Sequence, residues 1–272
     1  MTKRVISVFL CVLCVISSIS FIVSAKENKE YTSDNFLSVA DGIIAWKKAD
    51  NGSEPDGYLI NDKYLENAGT TPGDWYPIAL GRLGIQDNNE GYLAVIKDRV
   101  EERYRESGRL SAAKATEWHR IALAVLAMGG DPTNFGTDEN GAPINLIADG
   151  TYDRGKTTPL GRQGINGWIW GLITLDSMRY AVPDGAYNTR DDIIVEIISK
   201  QLSDGGFALS SDDADPDITA MAITALAPYY NSEKIYSYHR KALSADESKT
   251  VHEVVDLSLI HISEPTRLRC IS

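Results

Sequence analysis

The chain has 272 residues, of which 43% are hydrophobic and 24% charged, and its formal net charge at pH 7 is −11. A surface this acidic is repelled by phosphate backbones and by anionic lipid head groups, so the composition argues against nucleic acids and anionic membranes as partners. The length suffices for one sizeable domain, and no Pro/Ser-rich linker divides the chain.

Residues 1–25 have the pattern of a secretory signal peptide. Lys3 and Arg4 precede an apolar run from Val5 to Val23, and small residues before and at Ala25 form a cleavage site. We therefore expect a secreted or cell-surface protein with no stable membrane span after the leader is removed. An uncleaved anchor helix is the alternative, because the apolar run is long enough to cross a bilayer.

Apolar spacing and turn residues predict four helices in the first half of the chain. Gly129 and Gly130 are typical of a helix end and close the fourth of them. A short or broken helix is expected over Asn140–Ala148, before a loop that extends to Arg162. The four predicted helices span Ser33–Lys48, Asp74–Leu83, Asn89–Glu106 and Ala112–Met128.

The second half continues the helical pattern. Helices are predicted over Ile165–Tyr180, Ile193–Leu202 and Pro216–Tyr229, and the segment from Thr189 to Asp192 is expected to cap the second of these. The following stretches, Glu233–Leu243 and Ala245–Asp256, are expected to be polar helical pieces.

The last residues differ from the rest. From Leu257 to Arg267 the sequence resembles the translation of a common sequencing adapter, so we expect the native fold to cover residues 26–256 and residues 257–272 to be foreign to it. Cys270 then lies in this tail, and Cys11 and Cys14 lie in the leader. The mature chain is therefore expected to have no disulfide, no thiolate metal site and no cysteine nucleophile.

Four helix starts along the chain resemble one another. They read DWYPIAL at residues 74–80, EWHRIAL at 117–123, NGWIWGL at 166–172 and DITAMA at 217–222. We align Trp75 with Trp118 and Trp168. Repeats at intervals of roughly 43 to 53 residues are typical of arrays of helical pairs.

The segment QLSDGGF at 201–207, followed by DPDITA at 215–220, resembles the repeat of the terpene cyclase, prenyltransferase and squalene cyclase superfamily. The similarity covers roughly residues 34–256. It implies an all-α fold, an alpha/alpha toroid of about six helical hairpins, of which this chain has four and part of a fifth. Several segments, GINGWIWGLITLDSMRY among them, are most similar to secreted, repeat-only toroid proteins of Gram-positive bacteria.

The resemblance also implies where a ligand would bind. In such toroids the starts of the inner helices surround one end of a central cavity, and here they carry aromatic and carboxylate side chains suited to a ligand with an apolar face and polar edges. We expect Trp75, Trp118 and Trp168 to face one shared concavity. Helix capping or core packing is the alternative role for any one of these residues. The predicted binding residues are Asp74, Trp75, Tyr76, Glu117, Trp118, Asn166, Trp168, Asp215 and Asp217.

Catalytic hypotheses rest on three of the same side chains and one neighbour. Asp217 falls on the proton-donor position of the D-x-D-D-T-A motif of squalene-hopene and class II diterpene cyclases, but Ile218 replaces the adjacent aspartate. Glu117, with His119 and Tyr76, provides the acid and base types that a polysaccharide lyase or glycosidase uses.

No cofactor or metal is expected. The zinc set of protein prenyltransferases lacks its cysteine here. The acidic residues from Asp212 to Asp217 lack the glycine and the final glutamate of an EF-hand, so we expect them to be solvated. The leading hypothesis is a module that binds a small molecule, a glycan or a protein. The alternative is a cyclase-like or carbohydrate-active enzyme that uses Asp217 or Glu117.

Overall fold

A computed structural model describes residues 33–154 and 159–263 of the chain. Ten α-helices and two short strands occur in these residues, which agrees with the predicted all-α class. The chain divides into two compact units, Met1–Pro55 and Asp56–Ser272. The predicted signal peptide at residues 1–25 and the end of the predicted foreign tail, residues 264–272, lie outside the described residues.

The described part of the first unit contains one helix, α1, which spans Ser33–Asn51 and confirms the helix predicted there. Three apolar side chains of this helix, Phe36, Ile43 and Trp46, are exposed by 60%, 49% and 62%. Near its C-terminal end, the Lys48 ammonium group donates a hydrogen bond to the Pro55 carbonyl at 3.2 Å. The helix therefore leaves these apolar side chains exposed to solvent.

The second unit holds the remaining elements. Six of its helices agree with the predicted positions to within about four residues at each end. In chain order its elements are α2 Asp62–Leu65, α3 Thr71–Leu83, α4 Asn89–Ser107, α5 Ala115–Ala127, α6 Leu146–Gly150, α7 Ile165–Asp176, α8 Arg190–Ile198, α9 Pro216–Leu226, β1 Ile235–Arg240, β2 Ala245–Thr250 and α10 Val251–Ser263.

Helices α3, α5, α7 and α9 pack side by side in a row, and α8 and α10 pack against α7 and α9. Two helices of the row approach each other closely at a glycine, which has no side chain. A Cβ atom added to Gly81 of α3 would lie 2.0 Å from the Ala127 carbonyl oxygen of α5. The core of the unit lies against this row, with Leu80, Ile169 and Leu172 buried to within 1% of complete.

Helices α3, α5 and α7 end in the same way. A residue with positive φ follows each helix, and the next amide donates back across the last turn, which is the Schellman motif. These amides belong to Ile85, Gly130 and Tyr180, and their acceptors are the carbonyls of Leu80, Val125 and Leu175. The residues with positive φ are Gly84, Gly129 and Arg179, at 68°, 92° and 52°. The shared ending defines equivalent positions in the three helices.

The helix predicted over Asn140–Ala148 is wrong in its first half. The Asp138 carboxylate accepts hydrogen bonds from the amides of Asn140 and Ala142, at 2.8 and 2.9 Å, and an isolated bridge joins Thr137 to Pro143. Side-chain bonds to the local backbone favour a turn over a helix. Only the short helix α6 forms, where the Asn145 side chain caps its start.

The polar helices predicted over Glu233–Leu243 and Ala245–Asp256 are also wrong in large part, because β1 and β2 form an antiparallel hairpin there. Side chains of β1 alternate between exposed and buried, the period of a half-buried strand. Tyr236, Tyr238 and Arg240 are the buried ones. Arg240 donates to the carbonyls of Gln201 and Leu202, which attaches the hairpin to the glycine turn of the predicted repeat.

Helix α10 continues across the predicted boundary at Asp256. The Ser258 hydroxyl is buried and lies 2.8 Å from both the Gln201 side-chain amide nitrogen and the Gly205 carbonyl oxygen. The division into native residues 26–256 and foreign residues 257–272 stays a prediction.

We expect Gly81→Ala to lower the free energy of unfolding by about 1 to 3 kcal/mol, because its new methyl group meets the backbone of α5. Gly42→Ala is the matched control, since Gly42 lies inside α1 with nothing within 4 Å of its added Cβ. The control should not destabilise the protein, because alanine favours helix. Urea unfolding of both variants measures the difference, and equal stabilities would contradict the tight contact.

Candidate functional site

Asp74, the first of the predicted binding residues, is completely buried and fully used inside the protein. Its Oδ1 accepts hydrogen bonds from the Gly69 amide and the Tyr92 hydroxyl, and its Oδ2 accepts one from Nε of Arg120, each at 2.7 Å. Burial raises the pKa of Asp74, and the bonds from Arg120 and Tyr92 oppose that change. The carboxylate therefore joins α3 to α4 and α5.

The start of α5 is also turned into the protein. Trp118 is 2% exposed, and its Nε1 donates a hydrogen bond to the Tyr104 hydroxyl at 2.9 Å. The guanidinium carbon of Arg154 lies 4.0 Å from the centre of the same ring. Glu117 forms an ion pair with Arg103 at 3.3 Å. The expectation that Trp118 faces a shared concavity is therefore wrong.

His119 is completely buried beside Trp118. Its Nε2 lies 2.7 Å from the Gly150 carbonyl oxygen, which can only accept, so Nε2 carries the proton. Burial lowers the pKa of His119 to about 3, although the bond to Gly150 acts in the opposite direction. At neutral pH the uncharged ring joins α5 to α6, which is a structural role.

Tyr76, Asn166 and Trp168 are partly buried. The Tyr76 ring meets the Tyr64 ring edge to face, with 6.4 Å between centroids. The Trp168 indole packs on Gly161, where an added Cβ would lie 2.4 Å from Nε1. The Asn166 Oδ1 atom is buried and accepts no hydrogen bond from the described residues.

Asp215 and Asp217 lie at the start of α9 and are exposed. The Asp215 carboxylate accepts hydrogen bonds from the amides of Asp217 and Ile218, at 2.8 and 3.0 Å, and so caps the helix. The aspartate predicted as a proton donor, Asp217, contributes only its backbone amide to this cap.

Helices α3, α5, α7 and α9 line a cavity of about 800 Å³. This volume falls within the usual range for small-molecule sites. Of the nine predicted binding residues, Trp75 is the one in its wall. The four helices contribute Trp75 and Ile78, Leu123 and Leu126, Trp170 and Ile173, and Thr224 and Ala225 to the lining.

The cavity wall consists of equivalent positions in the repeat. Counted back from the shared helix endings, Ile78, Leu123 and Ile173 correspond to one another. In the same count Trp75 corresponds to Trp170. Our alignment of helix starts paired Trp75 with Trp118 and Trp168, which differs by two residues.

This difference explains the positions of the tryptophans. Two residues turn an α-helix by about 200°, so a side chain two positions away from a cavity-facing one points almost to the opposite side. Trp118 and Trp168 are displaced in this way from the cavity face. The glycines after α3 and α5 were the sequence signal for the correct alignment, and the non-glycine residue after α7 concealed it.

The most prominent feature of the cavity wall is a pair of tryptophans. The rings of Trp75 and Trp170 lie 5.5 Å apart between centroids at an interplanar angle of 55°, and Trp75 is 43% exposed. Together with Ile78 and Ile173 they form an apolar wall that an aromatic or aliphatic group can contact. The cavity is therefore suited to an apolar body.

Neither a cluster of metal-ligating side chains nor a membrane-spanning helix is found in the described ranges. Residues 33–154 and 159–263 contain no cluster of three or more His, Cys, Asp or Glu side chains that could hold a metal ion. In the same residues no helix combines the length and the apolar character needed to cross a bilayer.

We expect Asp74→Asn to lower the free energy of unfolding by about 3 kcal/mol, because it leaves the Arg120 charge without its carboxylate partner in a largely buried position. Asp217→Asn is the matched control and should change stability by less than about 0.5 kcal/mol, since Asp217 is exposed. Chemical denaturation compares the two. A mild effect of Asp74→Asn would show that this carboxylate is not a structural joint.

His119 should make stability depend on pH. The unfolded histidine binds a proton below about pH 6.5, whereas the folded one does so only near pH 3. Between these values the unfolded state holds more protons, so stability falls as the pH is lowered. The contribution is about 2 kcal/mol between pH 6.5 and 5. His119→Gln, which keeps a donor for Gly150, should flatten this slope in urea titrations, and an unchanged slope would contradict the buried neutral ring.

Comparisons of this chain with protein-family models, with curated proteins and with solved structures gave no match.

Proposed function

We propose that this chain is a secreted or cell-surface binding module of the toroid type, which holds a small ligand with an apolar body in the cavity between α3, α5, α7 and α9. The observation that carries the proposal is the cavity itself, about 800 Å³ and lined at equivalent positions of successive helices. A wall repeated in this way belongs to the architecture of the array rather than to a local packing defect.

Two further observations support the toroid arrangement. Alternate helices of the second unit lie next to one another in the order α3, α5, α7 and α9, as the inner helices of a ring do. The glycine turn at Gly205 also has a defined role. Gln201 donates hydrogen bonds to the carbonyls of Gly205 and Val254, each at 2.9 Å, so the motif joins one helical pair to the next.

The proposal of secretion rests on the sequence of residues 1–25. The enzyme alternative has no comparable support. Glu117 is paired with Arg103, His119 is uncharged, and Asp217 is exposed at a helix start. None of the three lines the cavity.

The binding proposal predicts that N-phenyl-1-naphthylamine, an uncharged apolar dye, binds the cavity and becomes fluorescent. Trp75→Ala and Trp170→Ala should each weaken its binding by about tenfold, because each removes an aromatic contact. Trp46→Ala is the control. Trp46 is 62% exposed on α1 and does not line the cavity, so its removal should leave the affinity unchanged.

Fluorescence titration and melting curves of the same samples separate binding from folding. If all three variants lose dye binding equally, the dye reports the general exposure of apolar surface and not the cavity. No saturable binding by the unmutated chain would refute the proposed function.

A further inference from the structure

We infer that the ligand is an amphipathic anion, with its apolar body against Trp75 and Trp170 and its anionic group held by Arg82 and Arg179. This inference rests on the proposed function and specifies the chemical class of the ligand.

Arg82 is the first of the two cations. It lines the same cavity as Trp75 and lies seven residues further along α3, on the same side of the helix. The side chain is exposed, and among the described residues it forms no hydrogen bond and no ion pair. Its guanidinium group is therefore available to a carboxylate, which it can bind with two parallel hydrogen bonds.

Arg179 follows α7 and lines a neighbouring cavity of about 610 Å³, which shares Asp176 and Pro228 with the first. In residues 33–154 and 159–263 the Arg179 side chain forms no hydrogen bond and no ion pair. Its φ of 52° lies in the left-handed region that favours glycine, and the equivalent residues after α3 and α5 are Gly84 and Gly129. Arginine here is unfavourable for the backbone, and no contact within the described chain compensates for it.

The carboxylate in the shared wall does not neutralise these two arginines. Asp176 accepts a hydrogen bond from Nε of Arg190 at 2.8 Å on one oxygen and from the Tyr229 hydroxyl at 2.7 Å on the other. Arg190 in turn donates to the carbonyls of Leu175 and Tyr180. With Asp176 and Arg190 satisfied internally, Asp176 forms no ion pair with Arg82 of the larger cavity or with Arg179 of the neighbouring one.

The spacing along α3 sets the size of the ligand. Seven residues of α-helix extend about 10 Å, so an apolar body of roughly that length would place its anionic end at Arg82 when its other end reaches Trp75. Decanoate and 1-decanol match this length and differ in their polar group. The pair therefore separates recognition of the charge from recognition of the apolar body.

The experiment measures how decanoate and 1-decanol displace N-phenyl-1-naphthylamine from the full chain and its variants. Arg82→Gln and Arg179→Gly should each weaken decanoate binding by about threefold to tenfold and leave 1-decanol binding unchanged. Arg105→Gln is the matched control, because Arg105 is exposed in the last turn of α4 but lines neither cavity. It should affect neither competitor.

Arg179→Gly also separates a binding role from a structural one. Glycine relieves the backbone at this position, so the melting temperature should not fall, whereas decanoate binding should weaken. Unchanged decanoate affinity in both variants, or an equal loss of 1-decanol affinity, would overturn the inference and leave the proposed function standing. If neither the dye nor 1-decanol binds the unmutated chain, the proposed function fails, and the inference fails with it.

Discussion

The buried ion pair between Asp74 and Arg120 is the interaction on which the arrangement of the first helices depends. Asp74 receives donors from α4, α5 and the turn before α3, while Arg120 also donates to the carbonyl oxygen of Gly69. Removing a charge from water is costly unless its partners are in place, so the pair is satisfied only when three helices and the turn occupy one arrangement. That arrangement places α3 and α5 close enough for Gly81 to meet Ala127, and their adjacent faces form one side of the cavity.

Two faces of these helices therefore have different roles in this array. Asp74, Trp118 and His119 are buried and bonded, and they hold successive helices together. The cavity wall is formed by another face of the same helices, where Trp75 and Trp170 project from equivalent positions. A repeat protein can vary such wall positions from one repeat to the next while the bonded helix starts preserve the stacking.

Arg179 illustrates how a departure from the repeat marks a candidate for function. The helix ending after α7 makes the same two backbone hydrogen bonds as those after α3 and α5, yet a side chain occupies the position where the others have glycine. Local backbone strain that no internal contact offsets is typical of positions selected for something other than stability. The neighbouring satisfied pair of Asp176 and Arg190 has the opposite character, since its bonds all remain within the protein.

The sequence by itself determined most of the helices, because apolar spacing, capping residues and terminal glycines act within one or two turns. The capping box of Thr189 and Asp192 and the helix end at Gly129 are examples. Three predicted helices failed in part, one around Asn140 and two in the hairpin of β1 and β2. Side-chain bonds to the backbone compete with the helical pattern around Asn140, and a period of two competes with it in β1. Only the tertiary structure decided which face of each helix meets the cavity. An error of two residues in aligning Trp75 with Trp118 changes no helix boundary, yet it turns a side chain by about 200°, and only packing against the neighbouring helices distinguishes the two orientations.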